Sequence, residues 1–203
     1  MTLRDLLKVV TEALDGADVP YMVVGSLAST FHGEPRATQD IDIVIDPEPE
    51  QLADLLRSFD AETFYVGDGR AALDSRSMFN VIDIASGWKI DFIVRKDRVF
   101  SAVEMSRRIG AEVLGVHIFV ATAEDTVLAK LEWAAASGSE RQLADAAAVL
   151  AVSGDTLDWH HLQRWADALG LTDHLQRAVG EGHQDWSSAS VTTLSRSRRV
   201  IEG

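Results

Sequence analysis

Residues 36–45 of the chain read RATQDIDIVI, and the last six of them alternate between small or acidic and large apolar side chains. Successive side chains on a β-strand point to opposite faces of the sheet, so a period of two indicates a half-buried strand. We therefore predict a strand over residues 40–46. Its isoleucines are buried on one face, and the carboxylates of Asp40 and Asp42 lie side by side on the other.

Two adjacent carboxylates suggest a cation site, because they repel each other unless a positive charge lies between them. Mg²⁺, or Mn²⁺ in its place, prefers oxygen ligands, and in nucleotide sites it bridges one or two carboxylates and the substrate phosphates. Asp91 lies in a later predicted strand, WKIDFIV (88–94), and would be the third acid. Asp83, on the partner strand of that hairpin, is a rival for this role. Lys89 is interpreted as a solvated or ion-paired neighbour.

A phosphate-binding turn is predicted upstream of these acids. The apolar run YMVV (21–24) indicates a buried strand, Gly25-Ser26 interrupts it, and Leu27 begins a short helix. Glycine allows close approach of the backbone, and the first N–H groups of a helix favour an anion. Gly25 and Ser26 are therefore candidates for holding a phosphate.

The remaining pattern predicts an α/β (α+β) fold followed by a helical region. The first half contains a helix over 3–15, a β-hairpin of strands 79–84 and 88–94, a helix over 97–108 and a strand over 113–120. From Glu124 the chain has Ala- and Leu-rich helical patterns, and its tryptophans 133, 159 and 165 are interpreted as core residues. We expect an α/β domain at 1–121, a helical domain at 122–181 and a polar tail at 182–203.

The composition limits the classes of partner. The chain has no cysteine, no apolar run long enough to span a membrane and no signal-peptide pattern, so we expect a cytoplasmic protein. Its formal net charge is −13. Because proteins that bind nucleic-acid backbones usually carry a basic face, we expect no specific DNA binding. An NTP remains an acceptable ligand if a divalent cation supplies positive charge.

These residues carry a resemblance to a known family. The set Gly25-Ser26, Thr38, Asp40-Ile41-Asp42 and Asp91 resembles the DNA polymerase β-like nucleotidyltransferase superfamily over roughly residues 20–95. RATQDIDIVI is similar to a stretch of bacterial minimal nucleotidyltransferases and of nucleotidyltransferase toxins from abortive-infection and toxin–antitoxin systems. The resemblance implies a mixed sheet with flanking helices, NTP and Mg²⁺ as ligands, Asp40 and Asp42 as metal ligands, and Asp91 as third ligand and base.

A looser resemblance concerns the helical half. Residues 124–131 (EDTVLAKL) and 139–145 (SERQLAD) are similar to the helical region of the toxin-like proteins, in which a lysine and a later aspartate complete the site. It implies that Lys130 contacts a nucleotide phosphate and that Asp145 supports it; an ordinary ion pair is the alternative for both. Arg36 would meet a phosphate or form a structural ion pair. Thr38 would contact the substrate or hydrogen-bond the loop backbone.

Three functions remain open from the sequence. The first is a metal-dependent nucleotidyltransferase that acts on an RNA or protein acceptor, as a toxin–antitoxin component with a cognate partner. The second is a nucleotide-binding or regulatory protein that keeps the fold without turnover. The third is modification of a small cationic acceptor such as an aminoglycoside, which the acidic composition would suit.

Overall fold

A seven-stranded mixed β-sheet forms the centre of the first part of the chain. The structure is a computed structural model that describes residues 1–33 and 40–180. In chain order the strands are β1 (Tyr21–Val23), β2 (Asp40–Ile45), β3 (Phe64–Val66), β4 (Met78–Asp83), β5 (Lys89–Val94), β6 (Ile109–Val113) and β7 (Val116–Val120). In the sheet their order is β3-β4-β5-β2-β1-β7-β6.

The strand directions place the acid-bearing strands side by side. Strand β2 is parallel to β5 and antiparallel to β1, whereas β4 is antiparallel to both β3 and β5. On the other side, β1 is parallel to β7, which forms a hairpin with β6. The mixed α/β architecture predicted from the sequence is confirmed.

Eight α-helices accompany the strands in the described ranges, and residues 172–180 are also helical. They are α1 (Leu3–Gly16), α2 (Gly25–His32), α3 (Pro49–Arg57), α4 (Gly69–Ser75), α5 (Val99–Arg107), α6 (Ala123–Ser137), α7 (Glu140–Ser153) and α8 (Trp159–Ala168). Thr2 and Asp5 form a capping box that begins α1 by satisfying N–H groups that lack an intrahelical acceptor.

The alternation in β2 decides which sheet face is buried. Ile41, Ile43 and Ile45 are fully buried in a cluster that includes Leu6 and Leu7 of α1. Burying an isoleucine side chain is worth about 1.5–3 kcal/mol, so a one-residue slip of register, which would expose all three, is strongly disfavoured. The register is thereby fixed, and Asp40 and Asp42 are left on the opposite face.

The described residues divide into two compact units. The first comprises residues 1–30 and 40–122, and the second comprises residues 31–33 and 123–180. The first contains the sheet with α1 and α3–α5. The second contains α6, α7 and α8. The predicted polar tail at 182–203 lies outside the described residues.

One strand prediction was wrong. The single strand expected over residues 113–120 is the turn and second strand, β7, of a β-hairpin whose first strand is β6 (Ile109–Val113). Val113 pairs with Val116 across Leu114 and Gly115. Both turn residues have positive φ, 53° and 75°, as a tight two-residue hairpin turn requires. Leucine rarely adopts this conformation, so the turn was hidden within an apolar run. Three elements, β3, α4 and β6, were not predicted.

The core assignment was wrong for one tryptophan and incomplete for another. Trp165 is buried at 8% exposure, but Trp133 is 64% exposed and Trp159 38% exposed. Helical periodicity therefore placed Trp165 correctly and Trp133 on the wrong face of α6. Among the described residues, no helix combines the length and apolar character needed to cross a bilayer.

Candidate active site on strands β2 and β5

Two acidic residues are direct register partners at the centre of the sheet. Asp42 of β2 pairs with Asp91 of β5, and Asp40 pairs with Lys89. Neighbouring strands lie about 4.8 Å apart, and paired residues on them point to the same face. Sheet pairing therefore brings together two acids that are separated by almost fifty positions in the sequence.

Gly25 closes the site on the β1 side. It begins α2 with φ of +63°, and Val24 N–H donates to the Asp42 carbonyl over 2.9 Å. A Cβ atom at position 25 would lie 2.0 Å from Asp42 Oδ2 and 2.6 Å from its Cγ. The glycine backbone therefore lies directly against the Asp42 carboxylate, where no larger residue fits. Ser26 follows in the first turn of the helix, whose leading N–H groups have no acceptor within the helix.

Asp91 is buried, and each of its carboxylate oxygens accepts a hydrogen bond. Its exposure is 6%; Asn80 Nδ2 of β4 donates to Oδ1, and Lys89 Nζ lies 2.8 Å from Oδ2. The hydrogen bond to Asp91 is the largest cause of a raised pKa at Lys89, and the charges of Asp91, Asp40 and Asp42 act in the same direction. The lysine is therefore held as a cation beside the acids.

Asp40 is also turned toward this lysine. Asp40 Oδ1 lies 3.8 Å from Lys89 Nζ, and its side chain is 53% exposed. In the part of the chain that the structure describes, no three His, Asp or Glu side chains form a ready-made metal-binding group. The oxygen donors are those that Mg²⁺ prefers, and Asp42 and Asp91 are in register to share an ion. The donor set fits a divalent cation once the contacts to Lys89 are exchanged.

Asp83, the rival third acid, lies on the other face of its strand. It alternates with the core residues Phe79 and Val81, whereas Asn80 shares the face of Asp91. The backbone and side chain of Ser86 both donate to the Asp83 carboxylate, and the side-chain bond is the main cause of its lowered pKa. Asp83 thus stabilises the β4–β5 turn and does not face the acids.

Lys130 and Asp145 meet in the helical unit. Lys130 is 6% exposed, and its Nζ donates to Asp145 Oδ2 over 2.9 Å. The ion-pair alternative is therefore observed, and the phosphate contact stays a prediction. A second buried pair in this unit joins His161 Nε2 to Asp125 Oδ1 at 2.7 Å. Arg36 and Thr38 lie outside the described residues.

Sequence reasoning missed Asn80 as a partner of the third acid. The predicted strands 79–84 and 88–94 did not define the register of the hairpin, which the structure shows at the turn, where Asp83 N–H donates to the Trp88 carbonyl. Counting outward in antiparallel register from that pair places Asn80 opposite Asp91.

Comparisons with known proteins identify the fold. No protein-family model matches the chain, and a comparison with curated proteins gives no significant match. Among solved structures, ANT(2'')-Ia in complex with adenylyl-2''-tobramycin matches 81% of this chain and 95% of its own, with a TM-score of 0.57 and 14% identity. An antigenic nucleotidyltransferase-like protein from Paracoccidioides brasiliensis matches 89% and 94%, with a TM-score of 0.54 and 17% identity.

A third similar structure is the lincosamide antibiotic adenylyltransferase LnuA with lincomycin bound. It covers 75% of this chain and 98% of its own, with a TM-score of 0.51 and 12% identity. The fold of this chain is thus similar to those of nucleotidyltransferases and of a nucleotidyltransferase-like protein of known structure. The chain has the nucleotidyltransferase fold, as its resemblance to the DNA polymerase β-like superfamily predicted.

Proposed function

We propose that the protein is a metal-dependent nucleotidyltransferase that moves a nucleotidyl group from an NTP to an acceptor. The observation that carries this proposal is the register pairing of Asp42 with Asp91, with the Gly25 backbone packed against Asp42. This arrangement combines oxygen ligands for a cation with a glycine turn at a helix N-terminus. The fold of the similar structures supports it.

Each group has a role in this proposal. Asp40, Asp42 and Asp91 would hold Mg²⁺ or Mn²⁺, which when bound would neutralise phosphate charge and bridge the NTP to the protein. The backbone at Gly25 and Ser26 would bind the triphosphate. Asp91, buried and hydrogen-bonded, is proposed as the base that accepts the proton of the acceptor hydroxyl. The acceptor oxygen would then bond to the α-phosphorus of the NTP, and pyrophosphate would leave.

Lys130 is the proposed contact to a nucleotide phosphate. Its ammonium is buried and already paired with Asp145, so it is positioned by that carboxylate rather than mobile. We keep the division into an α/β domain at 1–121 and a helical domain at 122–181 as part of this proposal. The described residues form two compact units that divide between residues 122 and 123, which supports this division.

The acceptor is proposed in two alternatives. An RNA or protein acceptor, with a toxin–antitoxin role and a cognate partner, follows from the sequence resemblance. A small cationic acceptor is favoured by the net charge of −13 and by the fold it shares with ANT(2'')-Ia, a structure that contains adenylyl-2''-tobramycin. An acidic protein attracts a polyamine more strongly than it attracts RNA.

Transfer of label tests both alternatives. The protein is incubated with α-labelled NTPs, Mg²⁺ and, separately, total RNA, a protein extract, and a panel of aminoglycosides and lincosamides. We expect label on one acceptor class, lost in Asp42→Asn and kept in Asp46→Asn. Asp46 follows β2 at its other end and pairs with Arg95 over 2.8 Å, so it controls for removal of one carboxylate.

Two results would contradict this proposal. Equal transfer of label by wild type and Asp42→Asn would show that the Asp42 carboxylate is not needed for the reaction. NTP binding in calorimetry without transfer to any acceptor would instead identify a nucleotide-binding or regulatory protein.

A further inference from the structure

The ammonium of Lys89 lies where a cation is needed. Lys89 Nζ is 2.8 Å from Asp91 Oδ2 and 3.8 Å from Asp40 Oδ1, so it bridges a carboxylate on each of the two parallel strands. Lys89 is the register partner of Asp40, and the sheet therefore fixes its backbone beside both acids. It supplies the positive charge that adjacent carboxylates require.

The occupied oxygens of Asp91 limit how an ion can enter. Asn80 donates to Oδ1 and Lys89 to Oδ2, so each oxygen already accepts a hydrogen bond. The amide of Asn80 is neutral and can share its oxygen with an ion through the second lone pair. The ammonium is a full charge, and a divalent ion on the same carboxylate would lie within a few ångströms of it, where like charges repel strongly.

The lysine side chain is able to leave. It is 33% exposed, whereas the Asp91 side chain is 9% exposed. A lysine side chain has a flexible four-carbon stem and a strongly hydrated ammonium, so movement into solvent requires no change in the backbone. We therefore expect the buried carboxylate of Asp91 to stay in place and the partly exposed lysine side chain to move.

We propose that Lys89 is a resident counter-cation that holds Asp40 and Asp91 in the metal-free protein and that the divalent ion must displace. This inference rests on the proposed function, since it concerns the same acids. It makes Lys89 a residue that sets metal affinity: the ion exchanges for an ammonium instead of entering a vacant acidic pocket. Lys89 thereby lowers the affinity of the acids for the metal ion. In the metal-free protein it offsets the repulsion between the carboxylates.

Binding of Mn²⁺ alone tests the exchange. Affinity is measured by electron paramagnetic resonance for wild type, Lys89→Met, Lys89→Arg and Lys8→Met. Lys8 lies on α1, which packs on the opposite face of the sheet, and is an exposed lysine paired with Glu12, so it controls for loss of one positive charge. We expect Lys89→Met to bind Mn²⁺ at least about tenfold more tightly than wild type.

The other variants have distinct expected results. Lys89→Arg keeps a cation at the site and should bind no more tightly than wild type, and Lys8→Met should match wild type. In thermal unfolding, Lys89→Met should be less stable than wild type without metal and should gain more from Mn²⁺. This second measurement also detects a variant that fails to fold.

Failure of the inference is separable from failure of the proposed function. Mn²⁺ binding that is lost in Asp42→Asn but equal in wild type and Lys89→Met would overturn the exchange and leave the metal site intact. No Mn²⁺ binding by wild type or Lys89→Met would overturn both. Binding of Mn²⁺ by Lys89→Met but not by wild type would support the exchange, because the ammonium would then exclude the ion completely.

Discussion

Gly25 and Asp42 are in contact at a distance that only glycine allows. A Cβ atom at position 25 would lie 2.0 Å from Asp42 Oδ2, and the backbone there has φ of +63°. Two separate penalties therefore oppose any substitution: the left-handed conformation, and a collision with the carboxylate.

Gly25→Ala should unfold more easily than wild type and lose nucleotidyl transfer. The left-handed conformation alone costs roughly 1–3 kcal/mol for a non-glycine residue, and displacement of Asp42 adds to this. Urea unfolding and label transfer measure the two effects. Gly87→Ala is the matched control, because Gly87 has φ of +73° and nothing within 4 Å of an added Cβ. Equal loss of stability in both variants would contradict the collision.

Substitution of two aspartates on one hairpin distinguishes the third acid. Asp91→Asn should lower the rate of transfer by about 100-fold or more, the usual scale for loss of a general base. Asp83→Asn should keep the activity, because Asp83 faces the core side of β4 and binds Ser86. Initial rates at saturating NTP give the comparison. Loss of activity in Asp83→Asn with the fold intact would reverse the assignment.

The pairing of the acids could be anticipated only in part from the sequence. The alternation in β2 fixed the face of Asp40 and Asp42, because exposing the isoleucines would be costly. The parallel pairing of β2 with β5 could not be read in the same way, since it joins segments that are far apart and the partner choice depends on the whole sheet. The third acid was therefore ambiguous between Asp83 and Asp91.

The errors in the fold have local causes. The β6–β7 turn places Leu114 at φ of 53°, a conformation for which leucine gives no sequence signal. Strand β3 has three residues, too few for a period of two to stand out. Sequence analysis interpreted Lys89 as a solvated or ion-paired neighbour, and the structure shows the ion pairs with Asp40 and Asp91. Its two partners could not be named in advance, because they depend on where the acids lie in three dimensions.

Substitutions of Lys130 and Asp145 distinguish the effect of this pair on stability from its effect on NTP binding. Loss of one partner from a buried pair leaves the other charge poorly solvated, so Lys130→Met and Asp145→Asn should each lower the unfolding free energy, by about 1–3 kcal/mol. Under the proposed phosphate contact, Lys130→Met should also weaken NTP binding far more than Asp145→Asn does. Calorimetric NTP titration alongside urea unfolding provides both values. Equal NTP affinity in the two variants would contradict the phosphate contact of Lys130 and show that the pair serves only to stabilise the fold.

Tyr21 should make the protein sensitive to alkaline pH. Burial, aided by the charge of Asp15, raises the pKa of Tyr21 to about 12, from 10.0 in the unfolded chain. Below pH 10 the phenol is neutral in both states and the unfolding free energy is unaffected. Between pH 10 and 12 the unfolded chain releases the proton and the folded chain keeps it, so stability falls as pH rises. The full loss is about 2–3 kcal/mol.

Tyr21→Phe should remove this part of the alkaline loss, since phenylalanine has no proton to release. The chain has two tyrosines, and the other, Tyr65, is 59% exposed, so Tyr65→Phe is the control and should keep the wild-type pH dependence. Urea unfolding at intervals from pH 8 to 12 measures the slope for each protein. A wild-type slope in Tyr21→Phe would assign the alkaline sensitivity to other groups, and a flattened slope in Tyr65→Phe would show that the exposed phenol carries it.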